Sequence, residues 1–259
     1  MSNDYASLVL LTYKRPDFTD RTLTSLKAAK NHTPYELIVV DDGSRDGNWP
    51  MLLSALRERE ISSLVVNAGE NMGVGTGINR GFQIATGKYL VKLDADLLYE
   101  DGWLDAGVAL LEADPGIATV GFFDYHNYVA NDPRFNKVGP VVRDGQTIGH
   151  YVDDYVGSAF MLRRWDFLTF GIDVLDPAAK ESFWRGFPVG SAAFAEDVEW
   201  KQYMTKNGKR HGITDRDFIH NFGFGVGNST VVPSLDAEGK AVVQTISQQP
   251  LVFPGGARA

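Results

Sequence analysis

The chain has 259 residues, 44% of them hydrophobic and 12% aromatic, enough to bury a full core in one large domain or two fused ones. Its 25 Lys plus Arg stand against 33 Asp plus Glu, and the net charge of −8 sets a field against nucleic acid as a partner. No cysteine is present, which excludes disulfides, thiolate metal sites and a cysteine nucleophile, and fits a reducing, cytoplasmic setting.

Ser7 to Tyr13 reads as a first strand. Its apolar run from Leu8 to Leu11 is too short for a signal peptide or a membrane span, and no other stretch is long enough, so we expect no transmembrane segment. Peripheral association with a membrane stays compatible with that. Asp17 to Lys30 follows as a helix, Glu36 to Asp41 as a strand, Trp49 to Glu60 as a helix and Ser63 to Asn67 as a strand. Gly73 to Ala85 is a helix, Tyr89 to Leu93 a strand, Gly102 to Ala113 a helix and Ile117 to Phe123 a strand. Such alternation predicts an α/β fold, with a mainly parallel central sheet covered by helices on both faces. Continuous apolar runs such as Leu37-Ile38-Val39-Val40 suit strands buried on both sides. Tyr125 to Gly149, rich in Asn, Pro, Gly and aromatics, reads as a long loop. Val156 to Leu162 resumes as a strand, Arg164 to Phe170 as a short helix, and Ala195 to Lys206 as a helix closed by Asn207-Gly208. Asp217 to Ile219 is expected as the last strand, with a hairpin around Asp236 to Gly239 in a Gly, Ser and Pro rich tail.

Ligands of open α/β sheets bind beyond the carboxyl ends of the strands. Four such ends here are polar: Thr12-Tyr13-Lys14-Arg15-Pro16, Asp41-Asp42-Gly43-Ser44, Asn67 to Gly73, and Asp94-Ala95-Asp96. Residues i and i+2 of a strand share a face, so Asp94 and Asp96 repel each other unless a positive group lies between them. A hard cation, Mg2+ or Mn2+, is the natural partner, and it usually keeps positions open for water and phosphates. The alternative is that one acid caps the helix beginning near Asp101 while the other is solvated. Asp41-Asp42-Gly43-Ser44 is equally a turn, a reading preferred for Ser44 and Asp46 but not for Asp41. Asn71 to Gly81 is glycine-rich, but Gly73, Gly75, Gly77 and Gly81 miss the dinucleotide spacing, and helix-to-sheet packing accounts for Gly77 and Gly81. Glu196, Asp197 and Glu199 fall in the first turn of a helix, where acids also serve the helix dipole. Trp200 and Tyr203 suit either a sugar platform or the core, the core being the commoner case, and His211 reads as a surface residue beside Lys209 and Arg210.

Taken in order, these segments resemble the inverting glycosyltransferases of family 2, with the GT-A type fold. The resemblance runs through Leu11 to Pro16, Glu36 to Gly47, Asn71 to Gly81 with Ala85-Thr86-Gly87, Leu93 to Asp96, Val156 to Arg164 and Glu196 to Trp200. It implies a nucleotide-sugar-binding half over residues 1–100, an acceptor-binding half over 101–225, and a tail or lid over 226–259. Thr12, Tyr13 and Arg15 would line the nucleotide pocket together with Asn71 and Gly73, Asp41 would accept from the base, and Asp94 would face the ribose or the metal. Asp96 would ligate Mn2+ or Mg2+, with Asp94 and His220 as further ligands. Asp197, or else Glu196, would be the base that deprotonates the acceptor. The implied donor is a UDP-, GDP- or dTDP-linked sugar, and the acceptor a hydroxyl of a glycan or other molecule, as in polysaccharide biosynthesis. One departure is Lys14, where the family's first motif usually has Asn. Two other readings stay open: a sugar-nucleotide nucleotidyltransferase, although Thr12 to Pro16 lacks a glycine-rich phosphate loop, and a catalytically silent glycan-binding domain.

Overall fold

The computed structural model describes residues 4–67, 71–122, 137–155, 157–170, 172–175, 183–186, 196–222 and 231–245. β1 (Ala6–Thr12), α1 (Pro16–Ala28), β2 (Tyr35–Asp41), α2 (Asn48–Arg57), β3 (Ser63–Val66), α3 (Val74–Ile84) and β4 (Tyr89–Asp94) form the expected alternation. There follow β5 (Leu97–Tyr99), α4 (Trp103–Ala113), β6 (Ile117–Gly121), β7 (Lys137–Arg143), β8 (Gln146–Val152), β9 (Ala159–Arg163) and α5 (Arg164–Phe170). The described chain ends with β10 (Ile172–Leu175), β11 (Phe183–Gly186), α6 (Glu196–Lys206), β12 (Arg210–Thr214), β13 (Ile219–Asn221), β14 (Val231–Leu235) and β15 (Ala241–Thr245). No helix among the described residues is long and apolar enough to cross a membrane.

The nine-stranded sheet has the order β3-β2-β1-β4-β9-β6-β12-β8-β7. Only β8 and β9 run against the other seven strands, so the sheet is mainly parallel. Strand alternation sends side chains into two cores. Leu8, Leu10, Leu37 and Val39 face α1, α2 and α4, meeting Leu26, Leu52, Trp103 and Leu110. Val9, Ile38 and Val40 face the opposite layer, where Ile78 and Phe82 of α3, Phe167 of α5 and Trp200 and Met204 of α6 close the core. The glycines of α3 permit that contact: a Cβ on Gly77 would lie 3.1 Å from Leu11 Cδ2, and one on Gly81 would overlap Val9 Cγ1.

Four expectations need correction. Residues 137–149 of the predicted loop form, together with residues 150–152, a hairpin on the sheet edge, turned by Asp144 and Gly145 at φ of 51° and 78°. The rest of that loop, residues 125–136, lies outside the described residues. The last parallel strand is β12, which the sequence reading missed, and the strand placed at Asp217 to Ile219 is instead Ile219–Asn221, paired antiparallel with β5. His211 is not a surface residue: as part of β12 it is 2% exposed beneath α6. Finally, neither Asp94 nor Asp96 caps α4, whose N-cap is Gly102 in the left-handed region. The hairpin around Asp236 is present, and its Gly239 turn sits against Thr24 and Ala28, at the end of α1 away from Arg15.

Candidate functional site

Register sets the site. Thr12 pairs with Asp41, Leu11 with Asp94, and Asp41 with Val66, so the ends of β1 to β4 lie side by side. Beyond β1 the backbone bends through Lys14 and Arg15 at φ of 59° and 55°, a region that costs non-glycine residues energy. The neighbouring loop holds that bend. Ser44 Oγ accepts from Lys14 N at 2.7 Å, and Asn48 Nδ2 donates to Lys14 O at 2.6 Å. Thr12 is buried, its hydroxyl 2.7 Å from that of Thr19, so it belongs to this polar floor. Tyr13 and Arg15 remain open to solvent.

Asp41 is fully buried at the end of β2. Its Oδ1 accepts from Ser44 N at 2.8 Å and from Trp49 Nε1 at 3.1 Å, while its Oδ2 has no partner. Asp42 does different work. Its carboxylate accepts from Met72 N and Gly73 N, each at 2.9 Å, and from Asn67 Nδ2, so it fastens the glycine-rich turn to the sheet. Gly73 takes φ of 83° as the N-cap of α3, a conformation glycine adopts without penalty. Asn71 Oδ1 accepts from Gly73 N at 2.9 Å, which places Asn71 at the exposed rim of the same turn.

The carboxylate pair closes the row. Asp94 Oδ1 lies 2.6 Å from Nζ of Lys92, a buried lysine that also donates to Gly157 O at 2.7 Å. Asp96 Oδ2 lies 3.7 Å from Arg15 Nη1, and its Oδ1 accepts from Asn221 Nδ2 at 3.2 Å. Burial and then the charge of Asp94 push the Asp96 carboxyl up to about 6, against the pull of Lys92 and Arg15. The pair thus has protein cations on both sides. Two carboxylates beside an open edge suit a small hard cation that completes its shell with phosphate oxygens and water. Among the described residues no group of three acidic or histidine side chains converges on one point. His220 is not brought to the pair: its Nε2 lies 2.8 Å from Glu100 Oε1, and it is the next residue, Asn221, that reaches Asp96. The same hydrogen bond is the main cause holding the Glu100 carboxyl below its usual range.

Glu196 and Asp197 are the first two residues of α6. The helix ends at Lys206 and β12 begins at Arg210, opposite Ile117 at the start of β6. α6 therefore descends from the carboxyl edge of the parallel strands, and its N-terminus lies at the edge that carries Asp94 and Asp96. Trp200 anchors it, fully buried with Nε1 donating to Thr119 Oγ1 at 3.1 Å, whereas Tyr203 is partly exposed. Sequence reasoning missed Asn48, Trp49 and Lys92. Lys92 was legible, because it stands two residues before Asp94 on the same face of β4; the others depend on where α2 docks.

Residues 7–168, more than half of the chain, match the family described as Glycosyl transferase family 2. Hyaluronan synthase of Pasteurella multocida is 25% identical over 222 residues, covering 83% of this chain and 21% of that protein. An undecaprenyl-phosphate 4-deoxy-4-formamido-L-arabinose transferase of Shewanella sediminis (strain HAW-EB3) is 32% identical over 98 residues, 36% of this chain and 29% of that one. The chain thus spans less than a third of the length of either relative. Among solved structures, the mannosyltransferase PcManGT from Pyrobaculum calidifontis, in complex with GDP-Man and Mn2+, superposes with a TM-score of 0.59 at 20% identity, covering 86% of this chain and 58% of that one. TarS 1-349 of S. aureus with UDP-GlcNAc gives 0.53 at 16% identity, covering 83% and 57%. The fold is the GT-A type.

Proposed function

From the premise that the chain belongs to glycosyltransferase family 2, we propose that it moves a sugar, with inversion, from a nucleoside diphosphate sugar to a hydroxyl of a glycan or other acceptor. The observation that carries this reading is the level row of strand ends, where a buried acceptor at Asp41 and the Asp94 and Asp96 pair lie on either side of the end of β1. Relatives named as sugar transferases and neighbours holding GDP-Man and UDP-GlcNAc support it. Residues to about 100 hold the nucleotide sugar, and the following half presents the acceptor.

In this mechanism Tyr13 borders the base, Asp41 accepts from it, and Arg15 faces the diphosphate. Asn71 and the Gly73 turn border the nucleotide, and Asp94 serves the ribose or the metal. Asp96, with Asp94, would hold Mn2+ or Mg2+; His220 would join that shell only if its bond to Glu100 broke. The cation, when bound, offsets the charge that develops on the departing nucleoside diphosphate. Asp197, with Glu196 as the second choice, accepts the proton of the acceptor hydroxyl while the new C–O bond forms and the bond to the diphosphate oxygen breaks. An ordinary carboxylate is a weak base for an alcohol, so proton transfer is late and concerted with bond formation.

A thermal-shift screen of nucleoside diphosphates and nucleotide sugars, with and without Mn2+, tests the reading. Stabilisation that requires Mn2+ supports it; equal stabilisation without metal across the panel removes the metal from the mechanism. Asp197→Asn should lower transfer by about 100-fold or more with nucleotide affinity little changed. Loss of binding in that variant would overturn the role given to Asp197.

A further inference from the structure

Lys92 places a charge where the fold offers no solvent. It is 3% exposed in the middle of β4, and its cross-strand neighbours, Val9 of β1 and Phe160 of β9, both belong to the apolar core on that face. A lysine is almost never buried so deeply unless it is paired. Here the ammonium lies 2.6 Å from Asp94 Oδ1 and donates to Gly157 O at 2.7 Å, so it is held from both sides. Arg15 is the opposite case. Its side chain is 56% exposed at 3.7 Å from Asp96 Oδ2, where water screens it and leaves it free to turn toward another anion. The two cations cancel the two carboxylates in formal charge, and among the described residues no third acid or histidine converges on the pair. Any cation that Asp94 takes therefore shares that carboxylate with a fixed ammonium in a poorly screened setting, where like charges repel strongly. A diphosphate changes the balance, because it brings negative charge and oxygen ligands together.

We propose that Lys92 is a fixed internal counterion that sets the order of assembly: it holds the acid pair back from a lone divalent cation and admits the cation only together with a nucleoside diphosphate. The inference rests on the nucleotide-sugar reading of the site and deepens it. Lys92 is a positioning residue, acting through Asp94 rather than on the substrate. Its charge trades one affinity for another, weakening the site for a cation alone and strengthening it for the anionic diphosphate alone. A side chain that served only to fill the core would not shift the two in opposite directions.

Mn2+ titration of the full chain, followed by electron paramagnetic resonance, alone and with saturating UDP, GDP or dTDP, tests this. Calorimetric titration of the same nucleotides without metal accompanies it. The wild type should bind Mn2+ alone about tenfold or more weakly than with whichever nucleotide binds. Lys92→Met, which adds no oxygen ligand, should tighten Mn2+ alone by about tenfold or more and weaken that nucleotide alone by about threefold or more. Damage to the fold would weaken both. Lys92→Arg keeps the charge and should leave the affinity for Mn2+ alone within about threefold of the wild type. Where the Met variant does not fold, Lys92→Gln, which retains a donor for Gly157 O, carries the same two expectations. A wild type that takes Mn2+ alone as tightly as with nucleotide overturns the inference and leaves the glycosyl-transfer reading standing. So does a charge-removing variant whose affinity for Mn2+ alone is unchanged or lower, or an Arg variant that matches it. Binding of none of the three nucleotides, with or without Mn2+, overturns the glycosyl-transfer reading, and this inference with it.

Discussion

Asp94 and Asp96 do not stand as two bare charges. Lys92 engages the first at 2.6 Å and Arg15 approaches the second at 3.7 Å, so the like-charge problem posed by Asp-x-Asp is partly solved within the protein. Lys92 is 3% exposed and bridges β4 to Gly157, so truncation leaves a carbonyl without a donor and a carboxylate without its counterion. Lys92→Met should therefore cost about 2–3 kcal/mol in urea unfolding, the exposure of Asp94 moderating the loss. Gly81 is a second residue where chemistry leaves no latitude. Its missing Cβ would occupy the space of Val9 Cγ1, and Gly81→Ala should destabilise the fold by about 1–3 kcal/mol by overpacking, measured the same way. Sequence spacing alone distinguished these glycines from a dinucleotide loop. The same reading set Gly77 and Gly81 apart as the pair that packing against the sheet explains, and these are the two that meet Leu11 and Val9 of β1.

Among the elements, the glycine-rich turn before α3 shows how a loop is made part of a site. Asp42 accepts from two backbone N–H groups of the turn and from Asn67, whose Oδ1 accepts in turn from Arg80. Asp42→Ala should cost about 2–3 kcal/mol and speed amide exchange at Met72 and Gly73 more than at β1. The β7–β8 hairpin is the element most fully present in the sequence yet misread. Asp144-Gly145 between alternating apolar residues is a strong two-residue hairpin signal, but the surrounding Asn, Pro and Gly gave the segment the look of a loop. β5 and β13 are three residues each; β5 was missed and β13 placed two residues early for a different reason, since they exist only by pairing with one another across more than a hundred residues.

At the scale of the molecule, His211 links packing to pH. Burial, reinforced by the neighbouring Lys201 ammonium, lowers its pKa from 6.5 to about 4, while the Lys201 carbonyl and Asp154 and Asp153 oppose that shift. The unfolded chain therefore takes up a proton near pH 6.5 that the folded chain refuses until about pH 4. Its contribution is complete above that window and is lost as pH falls through it, amounting to about 3 kcal/mol. Denaturant unfolding at pH 7.5 and pH 5 should show the loss, and His211→Gln, which cannot be protonated, should flatten the slope. The alternation of apolar and amphipathic runs by itself determined the parallel half-sheet, its helices on both faces and the convergence of four polar strand ends, because hydrophobic period and strand direction are local properties of the chain. Tertiary structure alone decided that Trp49 fills one oxygen of Asp41, that Asn221 and not His220 reaches Asp96, and that His211 is buried. Each of those outcomes depends on how far one element slides or turns against another distant in sequence, and no local pattern records it.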